Sequence, residues 1–274
     1  MIVVTGATGN VGRPLVQSLV EAGEEVTAVS RRISAQDVPA GVRHRQADLA
    51  DPAKLKAAVD GATALFLLTS GDFAAAGGDL DNVLEVARAG GVRRVVLLSS
   101  QGVSTRHHPP EFEDAVTRSG LEWTMLRPGN FASNAFQWAE MVRAQRAIAA
   151  PFGDVGLPAI HPADIAEAAA VALRDARHAG QVYDLTGPAP ITPRQQAAAI
   201  GEALGEPVRF DELTQAEAKA QMIRFMPEPI VDRTLEILGA PGALQRVSPD
   251  VERLLGRPAR TFAEWAASNI AAFK

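Results

Sequence analysis

The chain has 274 residues and a formal net charge of −5, and 47% of its residues are hydrophobic. The mild negative charge argues against a basic nucleic-acid-binding face, and the lack of cysteine excludes disulfides, thiol chemistry and thiolate metal sites. No apolar run reaches roughly 18 residues and no basic leader precedes the first predicted strand, so we expect neither a membrane span nor a signal peptide, and a cytoplasmic protein.

Short apolar runs alternate with amphipathic stretches as far as about residue 190. The run from Ala64 to Leu68 is apolar at every position, which is typical of parallel strands covered on both faces. The predicted strands are 2–4, 25–30, 42–47, 63–69, 94–99, 122–126 and 181–185. The predicted helices are one that follows the first strand and 52–59, 79–90, 110–119, 131–149 and 162–173. This alternation predicts an α/β fold with a doubly wound parallel Rossmann sheet.

From Pro190 onward the pattern changes to helices joined by proline-rich connections. Thr192 and Pro193 are typical of an N-cap and a first helical residue, and the segments that begin at Thr214 and Thr261 have the form of a capping box. We expect this smaller, mainly helical part, 190–274, to pack on the C-terminal edge of the sheet and to cover a substrate pocket. The chain would then be a single domain, 1–274, with its core in about 1–190.

Three glycines at G-x-x-G-x-x-G spacing lie between the first strand and the first helix. A strand, a glycine turn and a helix in direct succession are the context that favours a dinucleotide site over an ordinary glycine-rich turn. Gly6 would allow the tight turn, Gly9 the close approach of a pyrophosphate, and Gly12 close packing of the helix on the sheet. We therefore predict a nucleotide site here.

The end of the second strand indicates which dinucleotide is bound. An NAD site usually has an acidic residue there to accept the ribose hydroxyls, but this chain has Ser30, Arg31 and Arg32. A guanidinium can hold a 2′-phosphate, so NADP(H) is favoured over NAD(H), the alternative being a solvated basic loop. Asp48, at the end of the third strand, would either reach the adenine amino group or cap the approach to a helix.

Residues at the ends of the predicted strands complete the cofactor prediction. Thr69 and Ser70 follow the fourth strand, and Asn130 lies where the chain after the sixth strand would line the nicotinamide. The predicted cofactor contacts are Gly6, Thr8, Gly9, Asn10, Val11, Gly12, Arg31, Asp48, Leu49, Leu68, Thr69, Ser70, Pro128 and Asn130.

Five stretches, taken together, resemble the NmrA-like group of atypical short-chain dehydrogenases/reductases. They are Thr5-Gly-Ala-Thr-Gly-Asn-Val-Gly12, Leu98-Ser-Ser100, Gly120-Leu-Glu-Trp-Thr124, Leu126-Arg-Pro-Gly-Asn-Phe131 and Ile160-His-Pro-Ala-Asp-Ile165. The similarity runs in order to about residue 190 and more loosely through the tail. The group includes NADPH-dependent quinone and isoflavone-type reductases and regulators that bind NADP(H) without turnover. The resemblance therefore implies the cofactor class more firmly than an activity.

The chain departs from the wider superfamily at the proton donor. Typical members use a Tyr-x-x-x-Lys pair on the helix after the fifth strand. The only tyrosine here is Tyr183, far downstream, and no lysine lies between Ser99 and Asn130. Members of the group that use a single lysine find no match either. Hydride transfer to a quinone needs little proton assistance, so proximity could supply most of the catalysis.

Four residues are candidates for the chemistry that remains. Ser99 and Ser100 lie where the superfamily places a carbonyl-binding serine, although strand termination and turn hydrogen bonds are their alternative roles. His107 and His108 precede the helix that would carry the missing tyrosine, and imidazole is a usable proton donor near neutral pH. They would otherwise be surface histidines. Two adjacent histidines without a third ligand do not indicate a metal site.

Four further residues are predicted to face the substrate: Phe131, Phe136, Trp138 and His161. An aromatic ring there could stack on a flat substrate, whereas core packing is the commoner role. His161 and Asp164 resemble the pocket-edge motif of the group, and Asp164 could instead interact with the start of the alanine-rich helix.

Two functions follow from these observations. The first is an NADPH-dependent reductase of a conjugated carbonyl or quinone-like small molecule without the usual Tyr/Lys pair. The second is a non-catalytic NADP(H)-binding redox sensor. A third, weaker hypothesis is an isomerase or lyase that holds the nucleotide as a structural element. The predicted pocket has no pair of acidic residues that would favour such chemistry. We expect an apolar or conjugated small-molecule substrate, no nucleic acid or membrane partner, and either a homodimer or a regulatory protein partner.

Overall fold

The strands confirm the predicted α/β architecture. The computed structural model describes all residues, 1–274. Its nine strands are β1 Ile2–Thr5, β2 Val26–Ser30, β3 Arg43–Gln46, β4 Ala64–Leu68, β5 Arg94–Leu98, β6 Glu122–Pro128, β7 Ala147–Ala150, β8 Gln181–Leu185 and β9 Arg209–Glu212. Seven of them form a parallel sheet in the order β3-β2-β1-β4-β5-β6-β8, and β7 pairs with β9. All seven strands predicted from the sequence are in the large sheet.

Thirteen α-helices connect or follow these strands, and none of them combines the length and apolar character that crossing a membrane requires. They are α1 Gly12–Glu21, α2 Pro52–Val59, α3 Gly71–Ala75, α4 Leu80–Ala89, α5 Gln101–Ser104, α6 Glu111–Arg118, α7 Ala139–Gln145, α8 Pro162–Arg174, α9 Pro193–Leu204, α10 Gln215–Met222, α11 Glu228–Gly239, α12 Asp250–Leu255 and α13 Phe262–Ser268.

Helices cover both faces of the large sheet. Successive side chains of a strand point to opposite faces. Leu65 and Leu67 of β4 therefore join one apolar cluster that includes residues of α2, α4 and α6. Phe66 points to the other face and is fully buried. There α8 contacts β4, β5 and β6 and packs against α1. This two-sided cover explains the continuous apolar runs of the sequence.

The chain forms two compact units that alternate along the sequence. The first consists of Met1–Pro128, Pro162–Leu185 and Asp250–Arg257, and it contains the whole seven-stranded sheet. The second consists of Gly129–His161, Thr186–Pro249 and Pro258–Lys274, and it contains β7, β9 and an apolar cluster around Trp265. The single domain with an extension after residue 190 stays a prediction.

The predicted helix over 131–149 is wrong. A 3-10 helix occupies Ala132–Trp138, α7 follows, and Ala147–Ala150 is a strand. Arg146 ends α7 in the left-handed conformation, with φ +48°, and its guanidinium donates to the carbonyl of Val142 at 3.0 Å. The alanine-rich stretch beyond it is a strand because it pairs with β9, where Ile148 lies opposite Phe210.

The tail from residue 190 is mainly helical, but it also contains β9, which we did not predict. Its helix starts are confirmed. Thr192, Thr214 and Thr261 each cap a helix and each forms a capping box, with Gln195, Glu217 and Glu264 respectively. The sequence predicts these helix starts correctly because the interacting groups are only three residues apart.

Candidate functional site

The glycine turn after β1 is built so that only glycine fits at its last position. Gly6 has φ +64°, which L side chains rarely adopt, and it accepts a hydrogen bond from the N–H of Gly9 at 2.9 Å. A Cβ on Gly12 would lie 2.2 Å from the carbonyl oxygen of Gly6. Gly12 therefore brings the first residue of α1 against the turn itself. No side chain caps the N-terminus of α1.

A cavity of about 300 Å³ opens beside this turn, at the C-terminal ends of β1 to β4. Hydroxyl side chains in the wall of this cavity are held by hydrogen bonds. Thr5 Oγ1 donates to the carbonyl of Phe66 at 3.0 Å, and Thr8 Oγ1 lies 2.9 Å from Ser30 Oγ. The residues predicted to contact the cofactor that line it are Gly6, Thr8, Gly9, Asn10, Arg31, Asp48, Leu49, Leu68 and Ser70. We refer to this cavity as the nucleotide cleft.

The remaining predicted cofactor contacts lie elsewhere. Val11 and Gly12 are buried at the start of α1. Thr69 lines a different cavity, described below, and Pro128 is buried at the end of β6. Asn130 belongs to the second unit, where its side-chain oxygen accepts a hydrogen bond from Asn134 Nδ2 at 2.9 Å. Their roles stay predictions.

Arg31, which lines the nucleotide cleft, has an ion-pair partner that the sequence did not indicate. Its Nη1 lies 2.7 Å from Oδ2 of Asp72, in the first turn of α3, and both side chains are exposed. This carboxylate raises the pKa of Arg31 through the hydrogen bond between them. The side-chain amide of Gln46 donates to the backbone carbonyl of Arg31 at 2.8 Å, which fixes the chain at this point.

A second cavity of about 510 Å³ adjoins the cleft at the end of β4, because Leu68 and Ser70 line the first cavity and Thr69 lines the second. The second cavity also brings together Ser99, Ser100 and His108. We refer to it as the serine cavity. His107 does not line it, and its Nδ1 lies 2.8 Å from Thr105 Oγ1.

The two serines of this cavity use their hydroxyls differently. Ser99 Oγ donates to Oε1 of Glu113, so its one proton is already engaged. Ser100 is the N-cap of α5, and its Oγ accepts from the N–H of Gly102 at 3.0 Å. A serine hydroxyl has one donor and two acceptor positions. Ser100 therefore keeps its proton available to a ligand, whereas Ser99 offers lone pairs.

Glu113, which the sequence analysis did not single out, is a buried carboxylate paired with an arginine. It is 7% exposed, and Arg127 Nε donates to its Oε1 at 2.8 Å while Nη2 reaches Oε2. Burial alone would raise the pKa of Glu113, but the hydrogen bonds from Arg127 and Ser99 outweigh burial and hold that pKa below its ordinary value. Glu113 therefore stays ionised and is no proton donor at neutral pH.

Tyr183 is engaged away from both cavities. Its hydroxyl lies 2.8 Å from Nδ1 of His178, and burial, followed by the nearby charge of Asp250, raises its pKa. Neither cavity is lined by Tyr183. A tyrosine so placed does not substitute for the missing tyrosine of the superfamily.

The second unit contains a cavity of about 300 Å³ without a charged side chain in its wall. Of the four predicted substrate residues only Trp138 lines it, together with Phe152, Met222 and Phe225, and its polar side chains are Gln137 and Gln221. We refer to it as the apolar cavity.

The other three predicted substrate residues have different surroundings. Phe136 packs edge-on against Trp265, with ring centroids 5.0 Å apart, and Phe131 forms a parallel bridge with Ile160, directly before His161. Their roles in substrate binding stay predictions.

Asp164 of the Ile160–Ile165 stretch is a fully buried carboxylate in the first turn of α8. The sequence suggested an interaction with the start of that helix. The structure shows a distant partner, since Arg257 Nη2 lies 2.8 Å from its Oδ1 and also contacts Glu167. No pattern in the sequence predicted that Arg257 pairs with Asp164.

Comparisons with known proteins agree with this fold. The sequence pattern of the NAD(P)H-binding family matches residues 6–176. The (4-alkanoyl-5-oxo-2,5-dihydrofuran-3-yl)methyl phosphate reductase of Streptomyces griseus is 36% identical, over 100% of this chain and 99% of its own length. The solved structure of the NADPH-dependent quinone oxidoreductase QOR2 of Escherichia coli, complexed with NADPH, has a TM-score of 0.82 and 29% identity, covering 98% of this chain and 99% of that one.

The NmrA-like resemblance is also confirmed at the level of the fold. A solved structure of a doubly substituted NmrA has a TM-score of 0.74 and covers 98% of this chain and 95% of its own. Its identity to this chain is 20%, so the likeness concerns the fold.

Proposed function

The chain belongs to the NAD(P)H-binding family, and we propose that it uses NADPH to reduce a conjugated carbonyl or quinone-like small molecule. The observation that carries the proposal is the nucleotide cleft, which joins the glycine turn, Arg31 and the serine cavity in one unit. The relatives named above, a furanone-phosphate reductase and a quinone oxidoreductase, support the reaction class.

The residues of the cleft fit a dinucleotide. The turn presents backbone to the cleft, since Gly6 and Gly9 both line it without a side chain and Gly9 is exposed. Such a turn beside an uncapped helix N-terminus suits a pyrophosphate. Arg31 would hold the 2′-phosphate that distinguishes NADPH from NADH.

NADPH, when bound, supplies the hydride. The protein would position the acceptor and surround it with polar side chains. Ser100 would donate its free proton as a hydrogen bond to the acceptor oxygen, and Ser99, held by Glu113, would accept a hydrogen bond. A quinone bears the added charge by conjugation and needs little further acid. The proton that completes the reduction would come from water or from His108, the histidine that lines the same cavity.

The serine cavity favours an uncharged acceptor. Glu111 and Glu113 both line it, and the hydrogen bonds from Arg127 and Ser99 keep Glu113 ionised. These carboxylates would repel a negatively charged acceptor. We therefore expect neutral quinones to be better acceptors than carboxylated ones.

The test is NADPH consumption with a panel of small quinones. The variant Gly9→Trp fills the cleft with an indole without requiring a left-handed residue, since Gly9 has no positive φ. The matched control is Glu85→Trp, which adds the same ring at an exposed position of α4. We expect turnover by the wild type and by Glu85→Trp and loss of turnover in Gly9→Trp. Equal rates in all three proteins would contradict the proposal.

The missing Tyr/Lys pair is the observation that favours the sensor alternative. A sensor would bind NADP(H), distinguish its oxidised and reduced forms, and fail to oxidise NADPH with any acceptor. Binding without turnover across the panel would decide for the sensor, and steady turnover would decide against it.

A further inference from the structure

Asp72 forms an ion pair with Arg31, the residue that we expect to hold the 2′-phosphate of the cofactor. The ion pair joins Nη1 of Arg31, at the end of β2, to Oδ2 of Asp72, in α3, at 2.7 Å. The N-cap of α3 is Ser70, which lines the same cleft. Asp48, which also lines the cleft, adds a weaker attraction to Arg31. The cation at this site therefore stands beside two carboxylates.

This arrangement affects the two nicotinamide cofactors differently. A 2′-phosphate brings a dianion to the guanidinium, so it competes with Asp72 for donors and is repelled by that carboxylate. A 2′-hydroxyl is uncharged and leaves the ion pair intact. Exposed ion pairs are weak, so Arg31 can be released, but the release and the repulsion both count against the phosphate.

We propose that Asp72 is a specificity-determining residue which weakens the NADPH preference conferred by Arg31, so that this cleft accepts NADH as well. The inference rests on the proposed function, because it assumes that the cleft binds the adenosine end of a nicotinamide dinucleotide. The hydroxyls of Thr8 and Ser30, 2.9 Å apart in the same wall, offer uncharged partners for ribose hydroxyls of either cofactor.

Two adenosine fragments test the inference without any turnover. Adenosine 2′,5′-bisphosphate has the 2′-phosphate and adenosine 5′-monophosphate lacks it, and titration calorimetry measures the affinity of each. The variant is Asp72→Asn. The matched control is Asp81→Asn, which removes a carboxylate from the first turn of α4 that is paired with Arg118 and lines none of the three cavities described above.

We expect Asp72→Asn to bind the bisphosphate about two- to fivefold more tightly than the wild type, the range set by exposed ion pairs, with the monophosphate unchanged. Asp81→Asn should alter neither affinity. The gain should shrink in roughly 1 M salt, where charges are screened beyond about 3 Å. In an Arg31→Gln background, Asp72→Asn should increase the affinity for the bisphosphate by less. Asp72 and the 2′-phosphate no longer compete there for a guanidinium.

Each failure has its own meaning. If Asp72→Asn binds the bisphosphate no more tightly than the wild type, the role of Asp72 is overturned and the proposed function stands. An undiminished gain in the Arg31→Gln background would overturn the claim that Asp72 acts through Arg31. If neither fragment binds the wild type, the nucleotide cleft itself fails, and the inference and the proposed function fall together.

Discussion

Ser99 donates its only hydroxyl proton to Glu113, and Arg127 holds the same carboxylate with two nitrogen atoms. Ser99 and Glu113 both line the serine cavity. The contact converts one of two adjacent serines into an acceptor and leaves Ser100 as the donor. It also places an ion pair below the surface, where the stability of the fold depends on both charges.

We predict that Glu113→Gln destabilises the protein by about 2 kcal/mol at pH 7. Loss of one partner of a fully buried ion pair costs roughly 3–5 kcal/mol, and the value is reduced here because the Arg127 side chain keeps 20% exposure. Urea unfolding measures the difference. Glu111→Gln, at an exposed position in the first turn of the same helix, is the control and should lower the free energy of unfolding by less than about 1 kcal/mol.

The same variant has a predicted pH dependence. The pKa of Glu113 is lowered in the folded protein, so its contribution is fully present above its ordinary unfolded pKa, about 4.3, and is lost as the pH falls through the lowered value. The stability difference between wild type and Glu113→Gln should therefore shrink below roughly pH 4. A difference that grew as the pH fell would show that the carboxylate is not stabilised by Arg127.

Ser100→Ala should lower kcat/KM for quinone reduction by about tenfold, because the acceptor oxygen loses a hydrogen-bond donor. The cap of α5 is lost as well. Ser100→Thr is the control, since it keeps both the hydroxyl and a capping oxygen and should restore most of the rate. Stopped-flow NADPH oxidation separates the hydride step from binding. If the threonine variant is as slow as the alanine variant, donation by this hydroxyl is not what the reaction needs.

Gly12→Ala should destabilise the first unit by about 1–3 kcal/mol and weaken nucleotide binding. Its methyl group would lie 2.2 Å from the carbonyl oxygen of Gly6, so the turn must move. Gly71→Ala is the matched control, since a Cβ there meets nothing within 4 Å and Gly71 begins a helix. Thermal unfolding and fragment binding together report the effect. Wild-type behaviour of Gly12→Ala would disprove the close approach.

Asp164→Asn should cost about 2 kcal/mol, because Asp164 is wholly buried; the value lies below the roughly 3–5 kcal/mol of a fully buried pair since the Arg257 side chain keeps 32% exposure and also contacts Glu167. Glu167→Gln removes the other carboxylate of the same arginine. Since the Glu167 side chain is 34% exposed, that variant should cost less than about 1 kcal/mol. Equal losses in chemical denaturation would mean that burial of Asp164 is not the deciding factor.

Local signals in the sequence predicted the parts of the fold that depend on near neighbours. The glycine turn, apolar runs such as that of β4 and the three threonine caps each involve groups within a few residues of one another. The helix over 131–149 failed because helical periodicity does not register a left-handed residue at Arg146 or a strand partner some sixty residues downstream.

The candidate site divides in the same way. The Rossmann pattern predicted most residues that line the nucleotide cleft, because their places at strand ends follow from the strand order. Asp72 and Arg257 carry no such pattern. Each acts through a partner that lies 41 or 93 residues away in sequence, and any of the chain's many exposed carboxylates or guanidiniums would have looked equally suitable.

The alternation of the two units along the chain constrains how such a protein can be altered. The backbone enters the second unit at Gly129, returns at Pro162, leaves at Thr186, returns at Asp250 and leaves again at Pro258. The last return brings Arg257, the partner of buried Asp164, to the first unit. No single cut in the gene therefore separates the two units, because a fragment that keeps one unit whole always carries segments of the other.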